Sequence, residues 1–272
     1  MTDTLQHPVS PVTESTPAPA PYRLSAKGIL RSEWHKLWTL RSTWITLLTA
    51  TVLVLAVGIM MGSTYDGDDA EIDTVVFVLF GTQLSQICLA VLGVLVIAGE
   101  YSTGMIRASL TAVPHRLPVL WAKAAVFATV AFTATLVTNA GTFLTAQIWL
   151  SDTDKKLSLA DPGVLGALTG SAAGITLLSL IALGLGALLR SVPGAIGAFI
   201  AAVMILPEVL TLLPFGFVDT VAEHFPAQAA SALGSVARVE DAVSPGTALL
   251  TLALWAAALI GAASVLLKRR DV

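Results

Sequence analysis

The chain has 272 residues, of which 55% are hydrophobic and only 12% charged, and its formal net charge is −3. Soluble domains carry about 25% charged residues, so this composition leaves too few charges to cover a water-facing surface. The missing basic excess argues against a nucleic-acid partner, and the single cysteine, Cys88, excludes an internal disulfide framework and a CxxC metal site. The composition therefore predicts a protein that uses a lipid bilayer as its solvent.

The chain begins with a polar segment, residues 1–22, that contains five prolines and almost no apolar cluster. Such a segment cannot bury enough surface to offset its chain entropy, so we predict a disordered cytosolic tail. The first apolar run begins only after Arg41, which is too far from the start for a secretory signal.

Residues 23–43 are predicted to form an amphipathic helix that lies along the inner membrane surface. Leucine and tryptophan recur there at helical spacing, and basic residues fall largely on other faces. Tryptophans anchor at headgroup depth and basic side chains attract anionic lipid. The residues expected to carry these contacts are Trp34, Lys36, Trp38 and Arg41. The alternative is a cytosolic extension that packs on a partner subunit.

Residues 44–272 are predicted to form an all-α domain with six membrane-spanning helices. A helix needs about 20 apolar residues to cross the hydrocarbon core. Six charge-free stretches reach or approach that length: Ser42–Tyr65, Thr74–Gly99, Ala124–Ser151, Pro162–Leu189, Ser191–Pro207 and Ala242–Leu267. A β-barrel would instead show segments of about ten residues with alternating polarity.

The basic residues predict which side of the membrane each loop faces. Twelve of the fifteen lysines and arginines fall on one side if the six stretches alternate across the membrane. Lysine and arginine stay preferentially on the cytosolic side. Both termini are therefore predicted to be cytosolic, and the acid-rich loop after the first span is predicted to face outward.

The segment after the second span carries the strongest functional signal. It reads Gly-Glu-Tyr-Ser-Thr-Gly-Met-Ile-Arg-Ala-Ser-Leu-Thr-Ala-Val-Pro-His-Arg over residues 99–116. Glu100 sits where a helix leaves the membrane, Gly104 permits a bend, and Pro114 stops any short helix that follows. A short helix held between two rigid spans would transmit motion from a partner to both of them. The alternative is an ordinary polar loop.

Three glycines, Gly166, Gly170 and Gly174, repeat at four-residue intervals at the start of the fourth span. Small residues at that spacing allow helix backbones to approach closely. We predict close packing within the bundle, with a pore lining as the alternative.

The segment 99–116 resembles the loop of type-2 ABC exporter permeases. Residues 32–44, Ser-Glu-Trp-His-Lys-Leu-Trp-Thr-Leu-Arg-Ser-Thr-Trp, resemble the opening of actinobacterial members, and the Lys-Arg-Arg-Asp ending is similar too. The resemblance implies a multi-pass subunit of a bacterial plasma membrane that pairs with a second copy or a sibling permease. It also implies short re-entrant helices between the fifth and sixth spans, and leaves the cargo open.

The resemblance implies a docking surface for a separate cytosolic ATPase, formed by the amphipathic helix and the loop after the second span. On this chain the residues expected to transmit ATPase motion are Glu100, Tyr101, Gly104, Arg107 and Arg116. The chain has no Gly-x-x-x-x-Gly-Lys-[Ser/Thr] motif. The nucleotide phosphates are therefore expected to bind only to the partner ATPase, which would use ATP and Mg. This chain itself is expected to bind no cofactor.

Two other classes of function compete with an exporter permease. A self-sufficient secondary transporter or channel requires ionisable groups inside the membrane, and the sequence offers only Glu208, which an outer-interface position also explains. A membrane enzyme requires clustered catalytic residues or metal ligands, and no His-x-x-x-His or His-Glu-x-x-His pair occurs. No metal site is predicted.

Overall fold

The computed structural model describes residues 25–67, 73–106, 117–212, 214, 224–236 and 243–269, and these residues are helical apart from turns and short connections. The predicted tail, residues 1–22, lies outside them. In chain order the elements are α1 (Ala26–Thr39), α2 (Arg41–Ser63), α3 (Thr74–Val78), α4 (Thr82–Ser102), α5 (Leu117–Leu150), α6 (Val164–Leu189), α7 (Val192–Phe199), a π-helical segment (Ile200–Ile205), α8 (Leu206–Leu210), α9 (Pro226–Ala232) and α10 (Pro245–Arg269).

Within the described part of the chain, six stretches of helix are long and apolar enough to cross a membrane: α2, α4, α5, α6, the continuous stretch Val192–Leu210, and α10. The predicted number of spans is therefore confirmed, but two of the predicted boundaries are wrong. The second stretch is divided into α3 and α4 by a turn at residues 79–81, where Gly81 packs closely on the backbone of Val54. The third span begins at Leu117, so that Lys123 lies inside a helix that was predicted to begin after it.

The centre of the bundle is α6, which packs against α4, α5 and α10. Close approach depends on glycine at these contacts. A Cβ on Gly93 of α4 would overlap the carbonyl oxygen of Ser179, and one on Gly186 would lie 2.9 Å from a methyl group of Ile97. The α4 and α6 helices therefore approach each other closely at these two glycines, as small residues allow between membrane helices.

The bundle has two ends that differ in their side chains. The α1 end holds α1, the end of α4, the start of α5, Arg190 and the end of α10. The α3 end holds α3, the connection between α5 and α6, and α9, which surround a cluster of buried apolar side chains that includes Val75, Phe143 and Leu168.

Asp73 joins two connections at the α3 end. Its Oδ1 atom accepts hydrogen bonds from the backbone N–H groups of Val75 (2.9 Å) and Val76 (3.2 Å), which caps α3. Its Oδ2 atom accepts from the Ser235 hydroxyl at 2.9 Å and from the Val236 N–H at 2.7 Å. One carboxylate thus fixes the start of α3 to the residues that follow α9.

The fifth membrane-length stretch is not a regular α-helix. It begins with Ser191 as N-cap and Pro193 in the first turn, so the predicted turn between the fourth and fifth spans is short. The segment Ile200–Ile205 is π-helical, and the N–H of Leu206 bonds to the carbonyl of Ala201, five residues back. Pro207 follows directly after Leu206. Because proline has no N–H group, it cannot donate the backbone hydrogen bond of a regular α-helix, and the π-helical segment lies immediately before this position.

Candidate functional site

Helix α1 meets α2 at a corner formed by Leu40, whose extended backbone (φ −79°, ψ 124°) separates the two helices. The indole N–H of Trp44 donates to the carbonyl oxygen of Trp38 at 3.1 Å, and the two rings lie 4.9 Å apart. Arg41 is exposed and is the first residue of α2, so the predicted boundary at residue 44 falls inside the span. These contacts hold α1 at a fixed angle to α2.

One face of α1 is buried against the bundle and it carries an acid. Glu33 and Leu37 are buried, whereas Leu30 and Trp34 are more than 40% exposed. Glu33 is 4% exposed, which is unusual for a carboxylate unless it is paired.

The pairing partners of Glu33 form a cluster of four charges on three helices: Glu33 and Lys36 on α1, Glu100 on α4, and Lys123 on α5. The Lys123 ammonium lies 2.6 Å from Glu33 Oε2 and 2.8 Å from Glu100 Oε1. The Lys36 ammonium lies 2.7 Å from Glu33 Oε1 and 3.4 Å from Glu100 Oε1. The two acids and two bases balance, and we call this group the four-charge cluster.

Three members of the four-charge cluster are almost completely buried, since Lys123 and Glu100 are 3% and 5% exposed beside Glu33. Lys36 is partly open to solvent. Burial on its own lowers the pKa of the Lys36 ammonium, but hydrogen bonds and charge attraction from Glu33, and then from Glu100, outweigh it and raise the pKa above its ordinary value. The Glu100 Oε2 atom is buried and has no hydrogen-bond partner among the described residues.

The end of α4 continues from the four-charge cluster toward the segment with the functional signal. The Arg190 guanidinium lies 5.0 Å from the centre of the Tyr101 ring, a cation–π distance that ties α4 to the end of α6. Gly104 adopts a left-handed backbone (φ +74°) just after the helix ends, which glycine does without strain. Arg107 and Arg116 lie outside the described residues.

The remaining sequence-predicted residues lie at the α3 end. A Cβ on Gly170 would overlap the Leu233 carbonyl, and one on Gly174 would lie 3.2 Å from the Ala230 carbonyl, so both glycines contact α9 and the turn after it rather than another span. At Gly166 an added Cβ would meet open space. Glu208 is exposed, and its Oε1 atom accepts a hydrogen bond from Gln228 at 3.0 Å.

Sequence reasoning identified Glu100 and Lys36 but missed Glu33 and Lys123, the other half of the four-charge cluster. Glu33 was overlooked because an acid in a short helix outside the membrane is usually solvated. A signal did exist for Lys123: it is a single charge within a long apolar stretch, and such residues are usually paired and functional. Its partners, 90 and 23 residues away, could not be deduced from spacing.

Comparison of the chain with models of protein families, with curated proteins and with solved structures finds no match.

Proposed function

We propose that this chain is the membrane subunit of an ATP-driven exporter of the kind that its loop motif resembles. In this proposal cargo crosses by alternating access, a separate cytosolic ATPase hydrolyses ATP with Mg, and a second permease, either a copy or a sibling, completes the pathway. The four-charge cluster is the observation that carries the proposal, because it joins the two elements that the resemblance assigns to ATPase docking.

The four-charge cluster gives these elements a rigid connection to the spans. Glu33 and Lys36 belong to the helix before the first span, and Glu100 lies two residues before the end of α4. Separating any of these buried charges from its partners would leave an uncompensated ion, which costs about 3–5 kcal/mol. A displacement of α1 is therefore passed to α4 and α5 as one body, which is what a coupling device requires.

The distribution of basic residues supports a cytosolic position for the α1 end and for both termini. Lys36, Lys123, Arg190 and Lys268 all lie at this end of the bundle. In this proposal α1 lies along the inner surface of a plasma membrane, in agreement with the positive-inside rule, and the exposed Trp34 and Leu30 side chains contact lipid. The short helix α9, in the connection before the sixth span, is in this proposal one of the re-entrant helices of the outer face.

The proposal is tested with the full chain co-expressed with a P-loop ATPase encoded beside it. Both proteins are reconstituted in vesicles, and ATP hydrolysis and cargo movement are measured together. We expect Arg107→Ala and Arg116→Ala to lower transport by about 5- to 150-fold, the usual range of coupling energies, while the ATPase continues to turn over. Asp154→Asn at the opposite end is the control, since the Asp154 side chain is about half exposed and its pair with Lys155 is long (3.9 Å).

Two results would overturn the proposal. The first is transport by the purified chain alone without any ATPase. The second is chemical labelling of a cysteine introduced at position 107 or 116 by a membrane-impermeant reagent added outside intact cells.

A self-sufficient secondary transporter is the second candidate, and one observation favours it: the Glu100 Oε2 atom is buried without a hydrogen-bond partner among the described residues, and buried ionisable groups in membrane proteins are commonly functional. This candidate predicts that a pH gradient drives transport by the chain alone, and that Glu100→Gln abolishes the drive. The same vesicles, without ATPase and with an imposed pH gradient, distinguish the two candidates.

A further inference from the structure

A groove opens between α1, α2 and α5 on the side of the bundle away from the core. It has a volume of about 480 Å³, within the range of about 300–1,000 Å³ that small-molecule sites occupy. Trp34 and Trp38 lie at its α1 end, and Leu55, Val137 and Gly141 lie farther along its walls.

The groove has a closed end and an open end because glycine is placed on only one part of α2. Helices α2 and α5 are in contact at Gly58 and Gly62. A Cβ on Gly58 would overlap the Thr142 side chain, and one on Gly62 would lie 3.3 Å from the Ala146 Cβ. Toward α1 the helices separate, and the tryptophans of α1 line the gap that results.

The walls of the groove are apolar although several threonines line it. The hydroxyls of Thr51 and Thr138 bond to each other at 3.1 Å, and the Thr129 hydroxyl donates to the Ala125 carbonyl at 2.9 Å. The hydroxyls of these three threonines therefore already have hydrogen-bond partners within the protein. A polar solute would find little to bind there.

The length of the groove fits one leaflet of a bilayer. Thr129 and Gly141 are twelve residues apart on α5, which corresponds to about 18 Å of helix. Half of a hydrocarbon core of about 30 Å is about 15 Å.

The mouth of the groove is positively charged. Arg31 lies about one turn and Lys27 about two turns before Trp34 on the same side of α1, contrary to the prediction that the basic residues fall largely on other faces, and both are exposed. Cations beside tryptophans at headgroup depth attract anionic lipid, each by about 1 kcal/mol.

From these observations we infer that the groove between α1, α2 and α5 binds an anionic phospholipid. One acyl chain lies between Leu55 and Val137, and the headgroup lies beside Arg31 and Lys27. The inference requires α1 to lie at a membrane surface but does not require an ATPase partner, so it stands or falls separately from the proposed exporter.

The test uses the full chain, stripped of lipid in detergent and titrated with phosphatidylglycerol or phosphatidylcholine. Native mass spectrometry counts the lipids bound to each protein. Ala134→Phe fills the groove, and Ala257→Phe adds the same ring to an exposed face of α10 as the matched control. We expect Ala134→Phe to weaken phosphatidylglycerol binding about tenfold, the loss when two methylene groups no longer fit, and Ala257→Phe to leave it unchanged.

The headgroup is tested in the same titration. Phosphatidylglycerol should bind more tightly than phosphatidylcholine, and Arg31→Gln should reduce that preference about fivefold. Equal binding of the two lipids overturns the anionic assignment. The groove is not a lipid site if the two phenylalanine variants have equal effects on lipid binding. It is also not a lipid site if Ala134→Phe leaves lipid binding unchanged but removes a dimer from the mass spectrum, which would indicate a second copy of the chain as the occupant.

A second measurement needs no substitution and therefore covers the case in which Ala134→Phe does not fold. Phosphatidylglycerol with a photoreactive group midway along one acyl chain is activated on the wild-type chain, and the labelled peptides are identified. The inference expects labelling of α5 around Val137 and of α2 around Leu55. Labelling spread evenly over the exposed faces of α2, α5 and α10 overturns it.

Discussion

The two ends of the bundle are joined by different kinds of polar contact. At the α1 end, four full charges from three helices bind one another in a buried cluster. At the α3 end, Asp73 accepts from the neutral donors of Ser235 and Val236 and Glu208 accepts from Gln228, while the Asp154–Lys155 ion pair is long (3.9 Å). Loss of a neutral contact releases one connection, whereas loss of one charge leaves its partners uncompensated. The α1 end should therefore respond as a unit and the α3 end one connection at a time.

The largest expected effect comes from Lys123→Met. It leaves the buried carboxylates of Glu33 and Glu100 with only the partly exposed Lys36 ammonium as a cation, which should lower the free energy of unfolding by about 3–5 kcal/mol. Thermal unfolding in detergent measures the loss. The quadruple variant with Glu33→Gln, Glu100→Gln and Lys36→Gln in addition should regain most of it, since no charge of the four-charge cluster then lacks a partner; a quadruple variant no more stable than Lys123→Met contradicts the argument.

Gly170→Ala tests the α3 end by steric overlap. The new methyl group would collide with the Leu233 carbonyl, so α9 must shift, at an expected cost of about 1–3 kcal/mol. Gly166→Ala, one turn earlier on the same helix, meets open space and should stabilise by up to about 1 kcal/mol through helix propensity. The difference between the two melting temperatures is the measurement, and equal changes would mean that α9 does not pack closely on α6.

Asp73→Ala removes a helix cap and the contact to Ser235 and Val236. We expect a cost of about 1–2 kcal/mol for the cap, and faster hydrogen exchange confined to α3 and the residues around α9. Exchange that rises equally in α1 and α4 would show that the two ends are not independent.

Lys36 gives the smallest expected effect, which depends on pH. Because its pKa is raised above the ordinary value of 10.5, its contribution to stability is complete below pH 10.5 and is lost as the pH rises through the folded-state pKa. The melting-temperature difference between wild type and Lys36→Gln should therefore shrink above that pH. The Lys36→Arg variant, whose guanidinium stays charged, should remain more stable than Lys36→Gln above that pH. The groups that face Lys36 are Glu33 and Glu100, both paired with Lys123 as well.

The six membrane-length helices could be predicted because hydrocarbon excludes charge, and gaps between charges are visible in one dimension. The same reasoning failed at Lys123. It began the third span after this charge, whereas the helix includes Lys123, whose charge is neutralised by Glu33 and Glu100. The break near Gly81 was also missed; there the chain packs closely on the backbone of Val54, which the spacing of charges does not reveal. Both features involve contacts between residues that are far apart in the sequence, and the composition of a segment does not reveal such contacts.

The unbroken length of α5 has a consequence for both ends of the bundle. At about 1.5 Å per residue its 34 residues extend about 51 Å, which is longer than the hydrocarbon core. Lys123 near its start and Ala146 near its finish belong to the same rod, and Ala146 is where Gly62 of α2 makes contact. A rotation of α5 about its long axis at Lys123 would therefore also rotate the surface around Ala146 that Gly62 contacts. No loop lies between the two positions.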